Sequence, residues 1–302
     1  MTETRKLDLL RHLRPLHLMT TILMYMLGAG FARYLGERIN VSVFFLGFSW
    51  MICLQLGFYF LGDYYQTPFE KGLISQKSEN KSTQAGKGDR PEELLLYGAL
   101  SLFAAAAVLV IFLGIRGDLT LSSGIVMTAI FCAFVLIVVP GLSLDTSGVG
   151  EFITAILLVV LPPALAFILQ FESFHPFLSL GVFPLFPLHL AMILILRLKS
   201  YPTDLINDRK TIIIRLGWVR AVFLLNLLIL SGFLLFGVTL LFGMPFRLIG
   251  LVFLVLPAAG FLVWYLSRLE TGAPVRWPLI TYLSLVTFFL PAYLITYSVW
   301  TR

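Results

Sequence analysis

Nine apolar runs, each about as long as a bilayer-crossing helix, follow one another along the chain. They fall near 16–35, 41–62, 95–115, 120–139, 151–171, 176–197, 219–243, 245–268 and 277–299. Polar residues collect in the gaps between them. The pattern predicts an all-α integral membrane protein, a bundle of about nine transmembrane helices forming a single domain over 1–302. Six internal prolines, Pro162, Pro163, Pro184, Pro187, Pro257 and Pro291, are tolerable where neighbours satisfy the freed carbonyls, and they mark expected kinks. No repeat of fixed period and no second soluble domain is visible.

Composition strengthens this reading. Of 302 residues, 59% are hydrophobic and only 13% charged, too few polar groups to cover a soluble domain of this size. The net charge of +6 fits basic loops facing anionic lipid. No basic stripe with interleaved aromatics occurs, so nucleic acid is not an expected partner. Cys53 and Cys132 sit in separate apolar runs and read as small packing residues, without metal-ligand spacing. Arg5, Lys6, Arg11 and Arg14 precede the first run, but no small-residue cleavage site follows, so this run reads as a retained helix.

Charge also orients the bundle. With the N-terminus on one side, 17 of the 22 Lys and Arg fall on that side; Arg33, Arg38, Arg116, Arg247 and Arg302 fall on the other. The richer side is expected to be cytoplasmic, and an odd number of spans then puts the C-terminus outside. A polar cytoplasmic loop is expected near 63–94. Its Lys71 to Glu93 portion has the Gly, Ser, Lys, Asn and Gln bias of a mobile loop, either a lid or a plain linker.

Two acidic constellations lie on this side. Asp63, Gln66 and Glu70 follow the second run at i, i+3, i+7 and share one face if the helix continues, although Pro68 argues for a kink or an end there. After the sixth run, Asp204 and Asp208 are i, i+4 partners if helical. Either cluster alone reads best as a solvated helix end. Two together, in a chain this poor in acids, point to a site. Carboxylates of this kind suit Mg²⁺ shared with a phosphate-bearing substrate. Lys71, Lys77, Arg209, Lys210 and Arg215 are placed to bind phosphate oxygens.

With these residues the chain resembles the UbiA superfamily of intramembrane prenyltransferases. That family carries N-D-x-x-D-x-x-x-D after the second helix and D-x-x-x-D after the sixth, then G-K-x-T and a short apolar stretch ending in Leu-Gly. Here Asp63 and Glu70 match the first motif, and Arg209, Thr211, Arg215, Leu216 and Gly217 follow the second. Gly148-Val149-Gly150-Glu151 looks like the family's Gly-x-Gly-Glu, Arg14-Pro15 is also family-like, and nine helices is the family's number. The likeness runs over most of the chain.

The departures are specific. Gly62 stands for Asn, and Gln66 and Glu70 stand for Asp. Threading the second motif without a gap puts Arg209 on the family's Lys, Asp204 on its second Asp and Ser200 on its first. A rival threading pairs Asp204 with Asp208 but needs a four-residue deletion, which would shift a structured loop by about a helical turn. The metal-binding set is incomplete either way.

The resemblance implies transfer of an isoprenoid group from a prenyl diphosphate to an aromatic, quinone-precursor or lipid acceptor. It implies Mg²⁺ held by Asp63, Glu70, Asp204 and Asp208, with Asp63, Glu70 and Asp204 as the catalytic carboxylates. Lys71, Arg209, Lys210, Gln66 and Ser200 are the implied diphosphate-binding residues. The 27 Phe and 11 Tyr are compatible with a pocket sheltering a carbocation, though singly they read as packing. The alternative is a catalytically impaired relative that binds prenyl lipid. A transporter fits less well, because no two halves with matching interrupted helices appear. His175 and His189 read as packed or interfacial, Glu172 as an outer-side snorkeling residue, and Glu151 as favourably placed on a helix dipole.

Overall fold

A computed structural model describes residues 14–77, 91–140, 144, 148–171, 173–201, 205, 211–270 and 275–302. Among them no strand occurs, and nine helices are long and apolar enough to cross a membrane. They are α1 (Pro15–Tyr34), α2 (Val41–Lys77), α3 (Pro91–Ile115), α4 (Leu121–Val138), α5 (Val149–Phe171), α6 (Pro176–Leu198), α7 (Trp218–Leu241), α8 (Phe246–Leu269) and α9 (Trp277–Trp300). The protein is therefore an all-α, multi-pass integral membrane bundle. Each apolar run became one span, displaced by only a few residues at its ends.

Burial separates an inner set from a rim. In α6, 78% of the span is buried inside the bundle, in α5 67% and in α1 56%, against 17% in α3 and 28% in α4. The outer helices therefore present most of their apolar surface to lipid, which costs nothing in a bilayer. The tightest inner approach is between α1 and α5. A Cβ at Gly28 would run into the Pro163 backbone, so only glycine lets these two axes come so close. On the face away from the N-terminus, the Trp300 indole donates to the Met26 carbonyl at 2.9 Å, with Arg33 over its ring. This ties α9 to α1.

The prolines act in different ways. Before Pro162-Pro163 the helix widens into a π-turn over Ile156–Val160, because neither proline can donate the N–H an α-ladder requires. At Pro184 the sixth span breaks between Val182 and Leu185. Ahead of Pro257 the eighth span tightens into a 3₁₀ stretch, Gly250–Val255. Pro291 sits inside an unbroken α9.

Two expectations change at the end of α2. The helix does not end at Pro68; it runs on to Lys77. Pro68 lies beyond the apolar part of the span, where the carbonyl it leaves unpaired can be solvated. The expected 63–94 loop is accordingly shorter, since 63–77 and 91–94 are helical and only 78–90 lie outside the described residues. Positions 63, 66 and 70 therefore share one face of a continuous helix. After α6, a one-turn helix, Ile212–Leu216, is capped by Thr211, whose Oγ1 accepts from the Ile214 N–H at 3.4 Å. Gly217, at φ 74° and ψ 165°, then turns the chain into α7, a conformation open in practice to glycine alone.

Candidate functional site

A cavity of about 330 Å³ opens at the face where α1 begins, and α1, α2, α4, α5 and α6 all contribute to its lining. Its apolar wall includes Phe134, Ile137 and Val138 from α4, Leu157 and Leu158 from the π-turn, and Ile193 and Leu196 from α6. The polar groups gather towards the helix ends: Arg14, His17, Tyr59, Thr154 and Arg197. A mostly apolar concave space with a few convergent polar groups is the usual form of a small-molecule site.

Arg14 caps α1 in the left-handed region, at φ 42° and ψ 65°. It is the one described non-glycine residue with positive φ. Holding it there costs about 1–3 kcal/mol. The strain sets the guanidinium 5.2 Å from the centre of the Tyr59 ring, a cation–π contact across the cavity wall. One turn into α1, His17 Nδ1 shares a 3.1 Å hydrogen bond with the Tyr59 hydroxyl. The Gln55 amide donates to the same hydroxyl at 2.8 Å. Tyr59 is thus held from three directions, by a cation, an imidazole and an amide.

Opposite, Glu151 is fully buried in the first turn of α5, and Arg197 Nη1 donates to its Oε1 at 3.2 Å. Sequence reasoning placed Glu151 at a helix N-terminus, which is correct, but gave it only the helix dipole as a partner; the structure adds the guanidinium. Arg197 stays about one-third exposed, so the pair bridges the buried end of α5 and the cavity mouth. Among the described lining residues Arg14 and Arg197 are the fixed cations, and Glu151 offsets the second.

Asp63 is half-buried one turn beyond Tyr59 on α2, at the same face of the bundle. Ser200 is exposed just past the end of α6, its N–H donating to the Arg197 carbonyl at 2.9 Å. The structure thus places Asp63 and Ser200 on the face of the bundle at which the cavity opens. The side chains of Gln66, Glu70, Lys71 and Lys77, and all of Asp204, Asp208, Arg209 and Lys210, lie outside the described residues, as does Glu172. Among the described residues no group of three His, Cys, Asp or Glu side chains could hold a metal ion. The motif carboxylates suit Mg²⁺ in kind; their geometry is described only for Asp63. His175 caps α6 on the opposite face, accepting from the Phe177 N–H at 3.3 Å and stacking on the Phe177 ring. Cys53 and Cys132 are free thiols.

His17, Gln55 and Tyr59 were missed by sequence reasoning. Each is a lone polar or aromatic residue inside an apolar run, and only the packing of α1 against α2 reveals their convergence. The i, i+4 spacing of Gln55 and Tyr59 was the one local signal.

Fold and cavity together define a multi-pass helical membrane protein with an apolar pocket that has Arg14 and Arg197 in its lining. No family model matches the sequence, and no curated protein matches it.

Proposed function

We propose that this protein is an intramembrane prenyltransferase of the UbiA type, moving an isoprenoid group from a prenyl diphosphate to an aromatic or quinone-precursor acceptor. The observation that carries the reading is the cavity: apolar within, with Arg14, His17 and Arg197 at its mouth, on the bundle face where Asp63 and Ser200 stand. An anionic head at the mouth and an apolar tail within is the amphiphile such a space accommodates. The resemblance of the motifs supplies the substrate class.

Asp63, Glu70, Asp204 and Asp208 are the residues that would hold Mg²⁺, which supplies positive charge to the diphosphate when bound. Arg14 at the mouth adds charge, with Lys71, Arg209 and Lys210 as further phosphate partners from the sequence. As the allylic C–O bond breaks, its electron pair leaves on the diphosphate. Tyr59 and Phe134 offer aromatic faces to the carbocation left behind. An acceptor ring carbon then provides the pair for the new C–C bond, and its proton passes to the departing diphosphate. The apolar wall keeps water from capturing the cation.

The test is turnover. Protein in nanodiscs, given a panel of prenyl diphosphates and a dihydroxynaphthoate-like acceptor, should release diphosphate in a Mg²⁺-dependent way. Prenyl diphosphate bound without turnover would favour the impaired, lipid-binding relative instead. Because Gln66 and Ser200 stand where the family has carboxylates, Gln66→Asp with Ser200→Asp should strengthen Mg²⁺-dependent binding and speed turnover, and Asp204→Asn should slow it. A double variant slower than the native protein, with Asp204→Asn indifferent, would show the site is misplaced.

The proposed orientation puts the N-terminus, both acidic segments and the cavity mouth in the cytoplasm, with Arg302 outside. In a background lacking Cys53 and Cys132, an impermeant thiol reagent added outside cells should label a cysteine at position 302 and miss one at position 80. The reverse pattern would invert the assignment.

A further inference from the structure

The last turns of α8 sort their side chains into two stripes. Leu262, Leu266 and Leu269, at i, i+4 and i+7, are buried and face the bundle. Phe261, Trp264 and Arg268, at i, i+3 and i+7, form an exposed stripe on the outer side. Tyr265 lies between the stripes, half-buried. With nine alternating spans, α8 ends and α9 begins at the face where α1 begins. Trp, Tyr and Arg at such a level commonly anchor a span in any bilayer, so more than their presence is needed to make a site.

Here the groups are joined into one platform. The Arg268 guanidinium carbon stands 4.4 Å from the centre of the Trp264 ring. Phe261 packs against Trp264 at 5.5 Å and against Tyr265 at 6.3 Å between centroids. The Tyr265 hydroxyl accepts from the Arg276 N–H at 3.2 Å, which brings exposed Arg276, the residue before α9, to the end of α8. Two arginine side chains therefore start from one cluster of rings. A helical side chain leans towards the N-terminus of its helix, so Arg268 folds back over an indole that is 48% exposed, where a snorkelling arginine would reach out to water. Stacking uses the face of a guanidinium and hydrogen bonds are made at its edge, so the platform offers N–H donors beside an apolar ledge. Arg33 also stands over an indole, but that ring is bonded to the Met26 carbonyl and fastens α9 to α1.

We propose that the α8–α9 end of the bundle binds one anionic phospholipid, its phosphate on Arg268 and Arg276 and an acyl chain along Trp264 and Phe261. Charge complementarity names the occupant. Guanidinium groups pair with phosphate oxygens through paired N–H donors, and each basic group near an anionic lipid surface brings about a fivefold gain in affinity. A zwitterionic head offsets its own phosphate with an ammonium, so it gains less from two arginines. A phosphate free in water meets the same donors but leaves the exposed rings uncovered. None of these residues lines the cavity, so the site stands whether or not the protein is a transferase.

The probes are phosphatidylglycerol and phosphatidylcholine with the same diazirine-bearing acyl chain, each added in trace amount to the full chain in phosphatidylcholine nanodiscs. After photolysis, adducts on the 261–277 segment should be about twentyfold more abundant with phosphatidylglycerol, as two basic groups imply. Arg268→Gln and Arg276→Gln should each lower that ratio about fivefold, and Arg268→Lys should keep part of it. Arg220→Gln, at an exposed arginine that opens α7 on the same face, should leave the ratio unchanged. Should a variant fail to fold, the native comparison of the two lipids still decides. Equal labelling by both lipids, or phosphatidylglycerol adducts spread evenly over the lipid-facing helices, would mean that these residues are interfacial anchors only and would overturn the proposal. A ratio lowered as much by Arg220→Gln as by Arg268→Gln would overturn it too, since diffuse surface charge would then account for the preference. So would displacement of the lipid by an equal concentration of glycerol 3-phosphate, which would make this a site for free phosphate.

Discussion

Gly28→Leu is expected to abolish the folded bundle. A Cβ at this position would overlap the Pro163 backbone, and neither partner can give way. Gly28 is in the interior of α1 and Pro163 has its φ fixed by its ring, next to a π-turn that lines the cavity. Relief would require α1 and α5, two of the most buried spans, to separate and lose packing along their length. Overpacking of this kind costs about 3 kcal/mol in ordinary cores, and backbone against backbone stands at or above that figure. The control is Gly260→Ala on α8, where an added Cβ meets nothing within 4 Å and the helix gains roughly 0.5–1 kcal/mol from losing a glycine. Melting temperatures in detergent should show no folded transition for Gly28→Leu and an unchanged or slightly raised one for Gly260→Ala. A Gly28→Leu protein that melts like the native one would mean that α1 and α5 are not packed as described.

The bundle itself was legible because lipid demands one thing of a span, about twenty apolar residues, and a linear pattern can state that demand. The form of each interruption was not. Pro162-Pro163 gives a π-turn, Pro184 a break and Pro257 a 3₁₀ stretch, while Pro291 leaves α9 intact. The same residue type yields four results because its neighbours differ in which carbonyls they can satisfy. Pro68 was read as a kink or an end, and the helix continues through it, since beyond the apolar span a freed carbonyl has an alternative partner.

Legibility of the site divides along the same line. Asp63, Ser200, Arg14 and Glu151 could be singled out in sequence because they are polar or belong to a recognisable motif. The ion pair of Glu151 with Arg197 joins positions 46 apart in the chain, and no periodicity announces it. Thr21 and Gln55 were not singled out, and His189 was read only as packed or interfacial. Each is a single polar residue in an apolar run, and its burial with a polar atom unpaired among the described residues is a property of packing.

Changing Glu151 and Arg197 should separate stability from binding. Arg197→Leu removes the guanidinium paired with a fully buried carboxylate, which costs about 3 kcal/mol. Glu151→Gln should cost less, because Arg197 is partly exposed and its charge can reach water. The double change removes both charges and should recover most of the native melting temperature, as replacing a buried pair commonly does. Binding of geranyl diphosphate at fixed Mg²⁺ should follow a different order. Glu151→Gln removes the carboxylate charge paired with Arg197 and should bind more tightly than the native protein. The double variant, with the native net charge but without the guanidinium donors, should bind more weakly than native. Arg197→Leu, which leaves the mouth one charge more negative, should bind worst. An Arg197→Leu protein that melts like the native one would mean that the pair holds nothing together. Unchanged affinity in Glu151→Gln would show that the diphosphate does not sit at this mouth, since adding a positive charge to a low-dielectric anion site cannot leave its affinity untouched.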